Sequence, residues 1–217
     1  MIQLRKLLLI GGGGHCKSVI NVLLECNNYD EIGIIDTRNN VGKIVSGIKI
    51  IGTDQELPYL INKGYEEAFI TVGSVGNPKL RIKLYNMLCN LGYKFPNIIS
   101  ESSNVSKTVK LEDGVFIGKH AIVNVEAKIG SCSIINTGSI IEHECHIGEF
   151  CHVSPGAVLC GNVHVGDNSH IGANSTVIQN IKIGSNVVVG AGSVIISNID
   201  DSKKIVGVPG KVIENSF

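Results

Sequence analysis

Residues 129–147 read IGSCSIINTGSIIEHECHI, and the apolar residues Ile129, Ile135, Ile141 and Ile147 stand six apart. Working outward, the same step lands on Ile, Val or Leu seventeen times without a miss, from Ile99 to Ile195. Four places after each of these the residue is small or aliphatic, in a series from Ser103 through Ala121, Cys145 and Ala157 to Ile199. A fixed short period sustained over this length marks a solenoid of hexapeptides, that is, a parallel β-helix.

Each hexad supplies one short strand and one turn. Side chains alternate along a strand, so the fifth and first places point inward and the sixth, between them, points out. Gly recurs at the second place (Gly118, Gly130, Gly148, Gly166, Gly172, Gly184, Gly190), with Asn124 and Asn136 in equivalent slots. Both residue types tolerate positive φ, so the second place is expected to be the left-handed corner of the turn. The pattern resembles the left-handed β-helix of the hexapeptide acyltransferase superfamily. That resemblance, and not the spacing, implies the handedness and three hexads per coil, which stacks residues 18 apart. The general preference for right-handed crossovers argues the other way on hand.

A different rhythm precedes the repeat, so the chain divides into an α/β domain, 1–98, and a β-helix domain with a C-terminal tail, 99–217. Leu7–Ile10 reads as a strand, followed by Gly11-Gly12-Gly13-Gly14-His15 and a helical stretch from Cys16 to Cys26. Ile32–Ile35 is a second strand closed by Asp36, Phe69–Val72 a third, and Pro78–Leu91 a further helix. Such alternation implies a small Rossmann-like parallel sheet. A glycine loop between strand and helix brings backbone N–H groups to a phosphate, and an acid ending the second strand binds a ribose hydroxyl. The third glycine of the dinucleotide fingerprint is replaced by Cys16, and fewer than 100 residues precede the repeat. A nucleotide-sugar fits this loop better than NAD.

Lys plus Arg and Asp plus Glu number 19 each, so charge argues for neither nucleic acid nor an anionic membrane surface. No apolar run approaches the ~20 residues that span a bilayer, and Met1–Ile10 lacks the marks of a signal peptide. Seven Cys without metal-type pairing point to reduced thiols and a cytoplasmic location.

The stretch Ile140–His152 holds His143, His146 and His152 among Glu142, Glu144 and Glu149. His143 occupies the third place of its hexad, beside a turn, where an imidazole can face a cleft and accept a proton near neutral pH. Glu144 is placed to fix its tautomer. On the 18-residue coil Gly161 stacks on His143, and an unobstructed glycine N–H there suits the oxyanion of a thioester carbonyl. His120, His146, His164 and His170 read as solvated surface residues. The count also stacks His146 with His164 and His152 with His170, but neither pair has a third ligand, so no metal is expected.

With these residues in view, the chain resembles the sialic-acid and amino-sugar acetyltransferase branch of the superfamily. It is most similar to the NeuD/PglD-like UDP-4-amino-sugar N-acetyltransferases of bacillosamine-type pathways. The matching residues are Gly11–His15, Asp36, Asn136, Glu142-His143-Glu144 and the closing Gly207–Lys211. What the resemblance implies is a homotrimer that moves acetyl from acetyl-CoA to the amino group of a nucleotide-linked sugar. His143 is then the general base, supported by Glu144 and Asn136, and Gly161 supplies the oxyanion N–H. His152 lies near the thioester, while Gly172, Ala173, Gly190 and Ala191 line the pantetheine track. Gly13, Gly14, His15 and Asp36 hold the nucleotide. Thr37 follows Asp36 where some relatives carry a second acid. O-acetylation of sialic acid or another polysaccharide sugar is the alternative, ahead of a nicotinamide enzyme or a purely structural β-helix.

Overall fold

The computed structural model describes residues 4–213. It divides into two compact units, the first running to Gly73 and resuming over Lys79–Ile98, the second comprising Ser74–Pro78 and the chain from Ile99 onward. The two units change over between residues 98 and 99, and the short Ser74–Pro78 segment goes with the second.

In the first unit β1 (Lys6–Ile10), α1 (Gly14–Cys26), β2 (Glu31–Ile35), β3 (Ile44–Val45), β4 (Ile48–Gly52), α2 (Leu57–Ile61), β5 (Glu67–Ile70) and α3 (Lys79–Asn90) follow in order. The sheet order is β3-β4-β2-β1-β5, with β1 parallel to both of its neighbours. Leu7, Leu8 and Leu9 are fully buried, as a central parallel strand covered on both faces requires. The third strand ends at Ile70, not at Val72. The buried Arg81 guanidinium donates to the carbonyls of Ile70 and Val72 at 3.2 and 2.5 Å, which turns the chain away from the sheet. The antiparallel β3–β4 hairpin was not expected from the sequence. Its two-residue Ser46-Gly47 turn, with φ of 45° and 86°, carries the left-handed signature that favours such hairpins.

The second unit is a parallel β-helix of two-residue strands at hexad places six and one. Through the hexad run the ladders pair residues 18 apart, as Ile122 with Ile140, Lys128 with His146 and Ile134 with His152; the last parallel pairing, Val188 with Lys204, is 16 apart, and Lys204–Val206 then pairs antiparallel with Lys211–Ile213. Three hexads thus make one coil, with three sheets as walls. First- and fifth-place residues, including Ile141, Cys145, Cys151 and Leu159, form one continuous apolar core. Burial pushes the Cys145 thiol up to about 11, so it packs and does not react.

The turn chemistry differs from expectation. The left-handed residue is at the fourth place, from His120 and Glu126 through Glu144 to Asn162, Asn168, Asn174, Asn180 and Asn186. The second-place glycines answer a different need. A Cβ on Gly130 would stand 2.6 Å from the Gly148 carbonyl carbon, and one on Gly172 would stand 2.5 Å from the Ala191 nitrogen. Glycine is required there by the close stacking of coil on coil, not by φ.

Candidate active site

His143 and Glu144 form the two central residues of a turn at the edge between two walls of the β-helix. Glu144 takes a φ of 59°, and this corner turns both side chains outward, where they are more than half exposed. His143 Nδ1 lies 3.0 Å from Glu144 Oε2, so in the neutral imidazole Nδ1–H is the donor and Nε2 carries the free lone pair. Gly161 lies one coil away, tied to His143 by the bond from the Asn162 N–H to the His143 carbonyl at 2.9 Å. A Cβ at Gly161 would overlap Nε2 of His143, so the absent side chain is what lets the imidazole lie over this backbone. At several other third places the N–H is capped by a side chain, as when Glu149 N–H donates to Asp167 at 2.9 Å and Ser185 N–H to Asp201 at 2.8 Å. Among the described residues the Gly161 N–H has no such acceptor.

Asn136 does not support His143. Its Oδ1 accepts from the Thr137 N–H at 2.8 Å, which turns its Nδ2 to His152 Nε2 at 3.1 Å. His152 Nδ1–H in turn donates to the Ser74 carbonyl at 2.8 Å. A histidine 78 residues along the chain thereby anchors the Ser74–Pro78 segment to the β-helix wall. Nothing in the hexad count signals this contact, and sequence reasoning missed Ser74.

The surface reading also fails for His170. It is 8 % exposed and lies edge-on to His152 at 5.0 Å between centroids. Burial, reinforced by His152, pushes its pKa down to about 4. His146 and His164 stack as the count expects, with Nδ1 to Nδ1 at 3.3 Å. His164 Nε2–H donates to Asn162 Oδ1 at 3.1 Å, so His164 Nδ1 accepts from His146. Burial, then His164 and Lys128, lower the His146 pKa.

In the first unit the glycine loop is fixed from both sides. The Gly11 N–H donates to Ile35 O at 2.8 Å, and the Thr71 hydroxyl donates to Gly11 O at 2.6 Å. Gly13 caps α1 with no side-chain bond, and the first turn holds no acid. Gly13 and Gly14 are exposed, and with no side-chain cap or acid in the first turn the positive end of α1 is open to an anion. His15 follows within α1. Cys16, where a third glycine would stand, is fully buried, and burial raises its thiol to about 11.

Asp36 differs from its expected role. Its Oδ2 accepts from the Gly12 N–H at 2.6 Å, and its Oδ1 accepts from the Thr37 N–H at 2.6 Å and Asn40 Nδ2 at 3.0 Å. Burial opposes ionisation, yet these bonds outweigh it and hold the carboxyl below its usual range. Asp36 therefore shapes the loop. A cavity of about 370 Å³ opens here, lined by Ile10, Gly11, Ile35, Val72, Leu80 and Leu84, with Asp36 itself, Thr37, Arg38, Thr53, Asp54 and Gln55 as its polar groups.

A catalytic-type His–Glu pair on a hexapeptide β-helix, preceded by an anion-accepting loop on a parallel sheet, defines an acyltransferase of the hexapeptide class. The PglD N-terminal domain family matches residues 6–88, and the bacterial transferase hexapeptide family (six repeats) matches residues 144–179 and 162–197. A histidine-to-alanine variant of GDP-perosamine N-acetyltransferase from Caulobacter crescentus, solved with CoA and GDP-perosamine, is 34% identical, with a TM-score of 0.91 and 97% of each chain covered. The acetyltransferase domain of PglB from Neisseria gonorrhoeae, in complex with acetyl coenzyme A, is 32% identical, with a TM-score of 0.90, covering 97% of this chain and 100% of that one. An uncharacterized protein of Acanthamoeba polyphaga mimivirus is 32% identical over 127 residues, and the match spans 58% of this chain and 24% of that relative. The chain belongs to the hexapeptide-repeat sugar N-acetyltransferases of the PglD type.

Proposed function

We propose that the protein transfers acetyl from acetyl-CoA to the amino group of a nucleotide-linked sugar, with His143 as general base. The observation that carries this reading is the His143 Nε2, left unprotonated by the Glu144 contact at 3.0 Å and lying over Gly161. In the reaction the sugar amine attacks the thioester carbonyl and gives a proton to Nε2. The Gly161 N–H stabilises the oxyanion; the C–S bond then breaks, and the proton passes to the departing thiolate of CoA. Glu144 holds the tautomer and balances the imidazolium. Asn136 acts one step removed, by orienting His152 near the thioester.

Gly172 and Ala173 stack under Gly190 and Ala191 with no side-chain bulk between them, which suits a pantetheine chain lying along the wall. The N-terminal loop, held in shape by Asp36, takes the nucleotide diphosphate with Gly13, Gly14 and His15 at the open end of α1. A homotrimer is supported by one wall whose outward column, after Asn104, runs Ile122, Ile140, Val158, Thr176 and Val194, mostly apolar where a solvated face would be polar. Acetyl-CoA then lies between neighbouring β-helices. Among the described residues no helix is long and apolar enough to cross a membrane. The seven free thiols fit a reducing, cytoplasmic setting.

Replacing His143 with Ala should lower kcat by about two to four orders of magnitude, the span typical of a general base. Turnover close to wild type, assayed with a nucleotide-linked amino sugar and acetyl-CoA, would remove His143 from the mechanism. An alcohol acceptor run in parallel tests O-acetylation.

A further inference from the structure

We propose that the cavity beside the glycine loop selects a guanine base, with Asp54 and Arg38 as the residues that read it. The proposal rests on the nucleotide-sugar reading above and deepens it by naming the nucleoside. The cavity of about 370 Å³ opens where β1 and β2 end, with Ile10, Ile35, Val72, Leu80 and Leu84 as apolar wall, which suits a flat heteroaromatic ring. Asp36, the acid first expected to contact the nucleoside, already accepts from Gly12, Thr37 and Asn40. Base recognition therefore falls to the other polar groups of the lining.

The side chains of Arg38, Asp54 and Gln55 make no hydrogen bond or ion pair among the described residues, although the Arg38 charge is felt by Glu56. An unpaired carboxylate and an unpaired guanidinium thus border the same cavity without neutralising each other. Guanine presents two adjacent donors, N1–H and N2–H₂, to which a carboxylate is complementary. Its O6 and N7 are acceptors that match the fork of an arginine. Uracil and thymine present one N–H between two carbonyl oxygens, so a carboxylate meets lone pairs on both sides of a single donor. Adenine sets an acceptor beside its donor and has no O6. Of these bases, guanine alone uses both Asp54 and Arg38.

Calorimetry of the full-length protein with GDP and with UDP tests the assignment, repeated on Asp54→Asn and Arg38→Met. Wild type should bind GDP at least about tenfold more tightly than UDP. Each variant should shrink that ratio by about tenfold, mainly through weaker GDP binding, since one bidentate base contact carries roughly that discrimination. UDP binding as tightly as GDP overturns the proposal, as does an Asp54→Asn ratio equal to wild type. Equal weakening of GDP and UDP in Arg38→Met overturns the part given to Arg38 and assigns it to the diphosphate. A structural role of Asp54 in the short helix Asp54–Glu56 would change thermal stability and leave the ratio alone. If neither nucleotide binds while acetyl-CoA does, the nucleotide-sugar reading itself falls.

Discussion

The two units use glycine for opposite purposes. In the β-helix, second-place glycines such as Gly130 and Gly172 are filled on all sides, and the next coil's backbone sits where a Cβ would be. In the α/β unit, Gly13 and Gly14 have nothing within 4 Å of that position. The first kind lets the chain pack on itself; the second keeps backbone N–H groups open to a ligand. Gly161, a third-place glycine of the β-helix, fits neither kind: a Cβ there would meet the His143 ring, a side chain and not backbone.

The same substitution at two glycines tests this contrast most strongly. Gly161→Ala places a methyl group against His143 Nε2, whose side chain is free to move away. Activity should fall about 100-fold or more if His143 is the base and Gly161 the oxyanion donor as proposed, while Tm stays near wild type. Gly130→Ala instead presses on Gly148 and Glu149 backbone atoms at 2.6 and 2.7 Å. Overpacking of this kind destabilises by about 1–3 kcal/mol, so Tm should drop by several degrees with kcat little changed. Parallel kcat and melting measurements check both variants. An inactive Gly130→Ala beside an active Gly161→Ala would invert the argument.

A second test uses the buried histidine. The His170 pKa is depressed to about 4 in the folded chain, by burial first and the neighbouring His152 second, from an ordinary value of 6.5. Between those two values the unfolded chain binds a proton that the folded one refuses, so stability falls as pH drops from 6.5 towards 4 and is level above. The difference amounts to about 3 kcal/mol at the acid end. His170→Leu should flatten the melting temperature over that window. A variant that loses as much stability as wild type between pH 7 and pH 4 would show that His170 is not the sensor. The β-helix, not the α/β unit, is where this acid sensitivity should lie.

Much of this was legible in the sequence, for reasons that differ between the units. The ladders of residues 18 apart place Gly161 on His143 because register in a coil is counted along the chain. Glu144 beside His143 was legible because the two are adjacent. Ser74 on His152 was not, since it joins segments that share no repeat. The left-handed fourth place carried a signal only in the later coils, where Asn162, Asn168, Asn174, Asn180 and Asn186 recur; His120, Cys132 and Phe150 hide it earlier. In the α/β unit the strands followed from their apolar runs, but the fate of each Asp36 oxygen did not. Hydrogen-bond allocation in a loop depends on three-dimensional closure, and the Gly12 and Asn40 donors come from opposite sides of Asp36 in sequence.

The smallest effect separates two edges of the same β-helix. Along one edge away from the active site carboxylates accept from third-place N–H groups: Asp201 from Ser185 at 2.8 Å, and Asp167 from Glu149 at 2.9 Å. One coil beyond Gly161 the equivalent residue is Gln179, which makes no such bond among the described residues. Asp201→Ala should release the exposed Ser185 N–H to water, so the loss is at most about 1 kcal/mol, with Tm lower by a few degrees and kcat unchanged. A loss of several kcal/mol would mean that the carboxylate edge is essential to the fold. The open N–H of Gly161 would then be a structural defect tolerated for another reason. A small loss leaves the caps optional, and an open third-place N–H such as that of Gly161 then costs the fold little and stays available for the oxyanion role proposed for it.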